Sequence, residues 1–471
     1  MKRHRRKTKI ICTLGPAVND ERQIENLVEA GMDIARLNFS HGSHQEHKKR
    51  FLLVKKAAKH FNRSLGVIQD MEGHRIRVGK FEGGRPIHLK RGETIFVSSK
   101  AVEGNENLIT VSYSGFEGYL SKGHEIYIDD GNISLKVKKV NRDNVEAEVV
   151  SGGLLKENKG INIPQANFKF PAISNKDKRD LEFGLKMGVD YVAQSFVRSP
   201  DDIGALKSIM KKLKRTVPII AKIEDPQGIK NIDGIIEAAD AVMIARGDMG
   251  VSLSLEKVPL IQKDIIHKCN CYGKPVVTAT QMLESMTNNK RPTRAEVADV
   301  ANAVIDGTDL VMLSGETAIG KFPAAAVSYM HKIITNAEES FDYDNLLSKR
   351  QICPRREISE AVGFSVRSFA QLIDLDAIVV YTKEGVTAKV VAKFRPYDRI
   401  IAVTGSKKVA GELLLYWGVR PVLFSGTKKR PEDIINFLLK QKIIAKGKLV
   451  IFTKAAKEKG KRFGSMELLK T

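Results

Sequence analysis

Cysteine is scarce in this chain: four residues, Cys12, Cys269, Cys271 and Cys353, among 471. None forms a CxxC pair and no spacing suggests a metal cage, so reduced thiols in a cytoplasmic protein are expected. For Cys269 and Cys271 two readings stand: a redox couple, or two neighbours on a helix. Long apolar runs are also missing. None approaches the ~18 residues that a membrane span requires. Behind the basic start Met1–Lys7 the apolar stretch is only Ile10 to Cys12, which reads as a strand and not as the core of a signal peptide. No membrane partner is therefore expected. Aromatic residues make up 6%, tryptophan occurs once, and there is no zinc finger, homeodomain or aromatic-flanked basic motif. Nucleic acid is thus not the expected partner, although the formal net charge is +23. The basic residues are spread along the chain. Anionic substrates account for the sign of that charge but not for its size.

What is present is a rhythm. Short apolar runs end in polar residues or glycine: Lys9–Leu14, Asp33–Asn38, Leu65–Asp70, Tyr191–Phe196, Ile219–Glu224, Ala241–Gly247, Pro275–Thr280 and Leu310–Ser314. Most are separated by stretches of helical period, such as Glu21–Ala30, Pro200–Leu213 and Glu256–Tyr272. Strand alternating with helix implies a parallel sheet, and eight such units imply an α/β fold of the (β/α)₈ TIM-barrel class. The rhythm breaks once, between the third run and the fourth. Segments there alternate apolar with polar residues (Glu93–Val97, Ile126–Ile128, Ile133–Lys138, Val145–Val150), and Asp129-Asp130-Gly131 and Gly152-Gly153 signal turns. This reads as a small inserted β-barrel, placed to act as a lid. After about Asp342 come Asp376–Tyr381, Ile400–Val403, Val422–Phe424 and Leu449–Phe452, the strands of a third, α/β domain with a mainly parallel sheet. The expected division is residues 1–77 and 171–342 for the barrel, 78–170 for the insert and 343–471 for the last domain.

Chemistry in a TIM barrel sits at the carboxyl ends of the strands. Lys222 and Glu224, two apart at the end of the fifth run, share a face. Such a pair inside a barrel is costly unless a metal or an anionic substrate engages it, and a structural ion pair is the alternative. Asp248, one strand further on, completes a carboxylate pair suited to Mg²⁺. Arg36, Asn38 and Ser40 alternate at the end of the second run, and an arginine there can grip a phosphate in bidentate fashion.

Together, several segments resemble the pyruvate kinase family. They are Thr8 to Pro16, Arg36-Leu37-Asn38-Phe39-Ser40-His41-Gly42, Ala245-Arg246-Gly247-Asp248-Met249-Gly250, Ala279 to Met286, Arg291 to Glu296 and Met312 to Ala318. The resemblance runs in order from about Lys7 into the last domain and is weakest after about Lys454. It implies transfer of the phosphoryl group of phosphoenolpyruvate to ADP, giving pyruvate and ATP, the last step of glycolysis. Glu224 and Asp248 would hold Mg²⁺ (or Mn²⁺), and Lys222 would neutralise charge on the transferred group and the enolate. Arg36 would bind the phosphoryl group, while Ala245, Gly247 and Thr280 would cradle the carboxylate end. Thr280 and Ser314 would lie where a proton must arrive. Arg77 and Lys159, with Asn38 and His41, would meet the nucleotide. A homotetramer and a phosphorylated small-molecule effector, bound around Thr382–Ala388, are further implications.

One segment departs from the family pattern. Where the family commonly reads Asp-Thr-Lys-Gly-Pro-Glu-Ile-Arg, this chain reads Asp70-Met71-Glu72-Gly73-His74-Arg75-Ile76-Arg77. Asn38, Ser40, Asp70 and Met71 match the residues that hold K⁺ in many members, yet the glutamate that accompanies K⁺ dependence is here Arg75. The expectation is that the Arg75 guanidinium stands in for the monovalent cation, so that K⁺ is not required; an ordinary surface arginine is the alternative. Ser252 and Ser254 also replace the usual glutamate and proline. Two competing functions remain: another barrel enzyme acting on phosphoenolpyruvate, and a degenerate paralogue that binds without turning over.

Overall fold

A computed structural model describes residues 6–129, 131–166, 168–340, 358–427, 429–458 and 461–471. The expected boundary at 342/343, Cys353, Asp130 of the turn signal and Lys459-Gly460 lie outside the described residues.

Eight strands close into a parallel barrel: Lys9–Thr13, Ile34–Asn38, Gly66–Asp70, Tyr191–Gln194, Ile219–Ile223, Ala241–Ala245, Val276–Ala279 and Leu310–Leu313. Each falls inside one of the eight apolar runs read from the sequence. The strands are buried on both faces, which is why they read as continuous apolar runs and not as alternating ones. Side chains such as Ile11, Ile34, Ile68, Ile220, Met243, Val277 and Met312 fill the interior, while Ile10, Val67, Val192, Ile223 and Val311 face the surrounding helices. Helices Glu21–Ala30, His44–His60, Asn175–Met187 and Arg294–Asp306 begin at reciprocal capping boxes: Asp20 with Gln23, Ser43 with Glu46, Ser174 with Asp177 and Thr293 with Glu296.

The insert is a seven-stranded sheet with a two-stranded companion. In strand Ile133–Val140, Ile133, Leu135 and Val137 are buried while Lys136 and Lys138 point outward, the period of two that the sequence displays. The first strand in the sheet order, Ile76–Arg77, and the last, Leu108–Thr110, meet through an antiparallel bridge between Val78 and Val111. That bridge draws the sheet round on itself. The sheet begins at Ile76, two residues before the start expected from the sequence.

The last sheet has the order Val419–Leu423, Ile400–Thr404, Ala377–Tyr381, Leu449–Glu458, Lys461–Lys470; the first four run parallel and the fifth is antiparallel. The third of the expected strands starts three residues early, at Val419. The closing strand escaped notice because its charged residues give it the texture of an edge strand. This domain seals the amino end of the barrel: Leu415 joins the apolar cluster of the barrel interior. Arg395 donates to Asp309 Oδ1 at 2.7 Å, Gly307 O at 2.8 Å and Asn270 Oδ1 at 2.8 Å. Cys269 and Cys271 are buried, unbridged thiols on helix Val258–Tyr272, and burial pushes the Cys269 thiol up, which favours the helix reading over a redox couple. Among the described residues no helix is long and apolar enough to cross a membrane.

Candidate active site

At the carboxyl mouth of the barrel the expected residues converge. Strand Gly66–Asp70 ends in a fully buried carboxylate. Asp70 Oδ2 accepts from Arg36 Nε at 2.6 Å, and Oδ1 lies 3.2 Å from Lys222 Nζ. Burial pushes the Asp70 carboxyl up, but Lys222 and Arg36 more than offset it and hold the group below the usual carboxylate range. Lys222 sits 3.0 Å from Glu224 Oε1 and donates to Ser195 Oγ at 2.6 Å. Burial disfavours its ammonium, and the carboxylates of Asp70 and Glu224 reverse that, so its pKa is raised. The shared face of Lys222 and Glu224 is therefore real and forms part of a larger array.

Glu224 is pushed up to about 7, chiefly by burial; Lys222 pulls the other way and the nearby Asp248 adds to the rise. Two carboxylates that repel each other in a buried mouth suit a hard divalent cation. Among the described residues no group of three or more His, Cys, Asp or Glu side chains is placed to hold a metal.

Thr280 follows strand Val276–Ala279 at φ 65°, and Gln281 follows at φ 54°. A β-branched residue in the left-handed region is strained and persists only when its surroundings force it. Here Arg246 supplies that force: its Nη2 donates to Thr280 O at 2.7 Å and Gln281 O at 3.0 Å, while Asp299 anchors Nη1 at 2.7 Å. The Thr280 hydroxyl accepts from Gly247 N at 2.8 Å and donates to Ala279 O at 2.6 Å. Ala245 ends its strand beside this turn. Among the described residues Ser314 Oγ is buried without a hydrogen-bond partner, while the Ser314 amide donates to Glu316 Oε2 at 2.7 Å. An unsatisfied buried hydroxyl at the end of a barrel strand is able to take a hydrogen bond from a ligand.

The remaining expected residues are placed differently from their simplest reading. The second strand stops at Asn38, whose side chain accepts from Ser40 N at 3.1 Å, so Ser40 lies in a turn and the expected alternation ends two residues short of it. The backbone carbonyl of His41 takes the ring of His47, and burial is the main cause that lowers the His41 pKa. Arg77 is bound to Glu72 at 2.6 Å and Lys159 to Asp129 at 2.7 Å, so both expected nucleotide contacts are already in ion pairs. Arg75 Nη2 lies 3.2 Å from Asp248 Oδ1. It also packs on Gly160 of the insert, where a Cβ would fall 2.3 Å from its Nε. Met71 buries its side chain and offers its carbonyl, which accepts from Ser195 Oγ at 2.7 Å.

Sequence reasoning missed Ser195, Thr13 and the clamp made by Arg246. Thr13 Oγ1 accepts from Arg36 Nη1 at 3.0 Å. All three lie within or beside runs already singled out, but a lone serine, threonine or arginine carries no pairing signal until the strands are brought together.

Comparison with known proteins follows the same lines. The family profile described as "Pyruvate kinase, barrel domain" matches residues 5–327, and "Pyruvate kinase, alpha/beta domain" matches residues 360–470. A pyruvate kinase of Staphylococcus epidermidis is 44% identical over 454 residues, covering 95% of this chain and 77% of the relative. One of Staphylococcus aureus is 43% identical over the same extents. The solved structure of a pyruvate kinase from Cryptosporidium parvum superposes with a TM-score of 0.92 at 36% identity, covering 99% of this chain and 96% of that one. With the barrel, the insert, the closing α/β domain and the charged mouth in place, these matches show that the chain belongs to the pyruvate kinase family.

Proposed function

We propose that the barrel mouth moves the phosphoryl group of phosphoenolpyruvate to ADP through Lys222, Arg36, Thr280 and the carboxylates of Glu224 and Asp248. The observation that carries this assignment is the Lys222 ammonium, held between Asp70 and Glu224, with Arg36 on the other oxygen of Asp70. Two fixed cations face the place where the phosphoryl oxygens and the enolate develop charge. Phosphoryl transfer is catalysed mainly by such positioning and charge neutralisation. Arg36 grips the phosphoryl group, and Lys222 neutralises first that group and then the enolate. The amide of Gly247, the backbone at Ala245 and the hydroxyl of Thr280 orient the carboxylate end. Thr280 and Ser314 stand beside the carbon that takes up a proton, which arrives through water.

The family uses a divalent metal; Glu224 and Asp248 are the residues that would hold it, and Mg²⁺ is the ion we assign, with Mn²⁺ as a substitute. Bound there, the ion supplies Lewis-acid polarisation of the phosphoryl oxygens. Arg77 and Lys159 exchange their present carboxylate partners for nucleotide phosphates, with Asn38 and His41 beside them. Asn38, Ser40, Asp70 and the Met71 carbonyl would form the K⁺ site of other members. Arg75 brings a fixed positive charge to this mouth and is read as making that ion unnecessary. We further assign the protein to the cytoplasm as a homotetramer. A phosphorylated effector is assigned to Thr382–Ala388, where Gly385 N is held by Thr382 Oγ1 at 2.8 Å.

The test is pyruvate formation with Mg²⁺, with K⁺ present or replaced by a bulky inert cation. Equal rates support both the site and the role of Arg75, whereas a rate seen only with K⁺ removes that role. Lys222→Met is expected to lower kcat by about 10²–10³-fold, and a variant that keeps its rate would overturn the site assignment.

A further inference from the structure

We propose that Ser195 is a positioning residue that fixes Lys222 for catalysis. Ser195 follows strand Tyr191–Gln194 and is almost fully buried. Its hydroxyl donates to the Met71 carbonyl at 2.7 Å and accepts from Lys222 Nζ at 2.6 Å. The directions are forced: an ammonium only donates and a carbonyl only accepts. With its single proton committed to Met71, the hydroxyl turns its lone pairs on Lys222 and cannot rotate away.

The next residue completes the arrangement. Phe196, at φ 53°, donates its amide to Glu224 Oε2 at 2.7 Å. One two-residue segment therefore holds both members of the Lys222–Glu224 pair. The backbone below it is fitted closely: Gly73 lies at φ 74°, and a Cβ there would fall 2.9 Å from Ser195 Cβ.

Ser195 differs in kind from the other partners of Lys222. The ammonium has three N–H groups and, among the described residues, three close acceptors: Asp70 Oδ1 at 3.2 Å, Glu224 Oε1 at 3.0 Å and Ser195 Oγ at 2.6 Å. Asp70 is shared with Arg36, and Glu224 belongs to the carboxylate pair assigned to the metal. Ser195 is the neutral member with no competing duty toward the substrate. It keeps the ammonium on station while the charged partners change theirs, so that an N–H can turn toward the transferred group.

This inference rests on Lys222 carrying the reaction, so Ser195→Ala and Lys222→Met are measured side by side. For Ser195→Ala, kcat is expected to fall roughly ten- to hundredfold, as for a lost hydrogen bond to a charged group. The KM for ADP should stay within about twofold, and thermal melting should show a folded protein. Exchange of the pyruvate methyl protons with deuterated water, followed by NMR, runs the protonation step backward and should fall by the same factor, because both steps use Lys222. A kcat within twofold of the parent overturns the proposal. So does a loss confined to melting temperature or to the KM for ADP, which would make Ser195 merely structural. If Lys222→Met itself retains its rate, the reading of the site fails and not only the role of Ser195.

Discussion

The guanidinium of Arg75, carried on the segment that leads into the insert, lies 3.2 Å from the carboxylate of Asp248 at the barrel mouth. It thus contacts one of the two carboxylates assigned to the divalent ion while packing against Gly160 of the insert. Removing the arginine should free that carboxylate. Arg75→Gln is expected to bind Mn²⁺ about two- to fivefold more tightly in the absence of substrates, the worth of a partly exposed ion pair. Calorimetric titration of the substrate-free protein reads this directly, and unchanged affinity would show that the contact does not compete with the metal. Arg75→Glu, assayed separately, should bring K⁺ dependence.

Thr280 combines backbone strain with an assigned role at the site. Its φ of 65° suits glycine, and the clamp by Arg246 holds it there. Thr280→Gly should gain about 1 kcal/mol in stability by relieving the left-handed conformation. Its kcat should fall by about 10²-fold or more because the hydroxyl is gone. Denaturant unfolding and steady-state kinetics together check the opposite signs.

Acid sensitivity is expected at the start of the first strand. Asp33 is largely shielded from solvent, which pushes its carboxyl up, yet Arg6, Lys9, Arg63 and the Ile10 amide together bring it below the usual range. Its Oδ2 accepts from Ile10 N at 2.9 Å and from Arg6 at 2.5 Å. A group depressed in the folded state contributes stability that is complete above its unfolded value, about 3.9, and is lost as pH falls through the folded one. Asp33→Asn should cost about 3 kcal/mol at neutral pH and flatten the acid limb of stability against pH; an unchanged limb would place the acid-labile group elsewhere.

Lys7 predicts a slope of the same sign on the alkaline side. Burial pushes it down to about 8, against the pull of Glu338 and Asp398 and with the help of Arg395. The rings of Tyr397 and Trp417 lie 4.9 and 5.0 Å from its nitrogen. Between about 8 and the unfolded lysine value of about 10.4 the unfolded chain binds more protons, so stability should rise with pH. Lys7→Met should remove that rise and add about 1 kcal/mol at neutral pH. Melting curves from pH 7 to 10 test both.

The barrel was legible because its strands are buried on both faces: runs such as Ile219–Glu224 and Ala241–Gly247 stand out from the polar stretches between them. The insert was legible through the opposite signal, strict alternation around Ile133–Val137. The closing strand Lys461–Lys470 was not, since its charged residues leave no apolar run to count. At the site, Lys222 and Glu224 could be paired because two residues on one strand share a face. Asp70, joined to Arg36 on the adjacent strand and to Lys222 two strands away, could not be paired this way. Barrel closure sets such contacts, and no local spacing encodes them. Ser195 and Arg246 were hidden for the same reason, and the pairing of Arg75 with Asp248 depends on how the insert folds back over the mouth.

Leu415 bears on how such a chain can be inherited. Because it lies in the same apolar cluster as Ile11, Tyr191 and Met312, the last domain supplies part of the floor of the barrel. Recombination that transplanted the barrel alone would leave an oily opening facing water, and one that moved the last domain alone would strand Leu415 without a socket. The two are therefore poor candidates for shuffling as separate modules, and substitutions around Leu415 must be accepted in step on both sides.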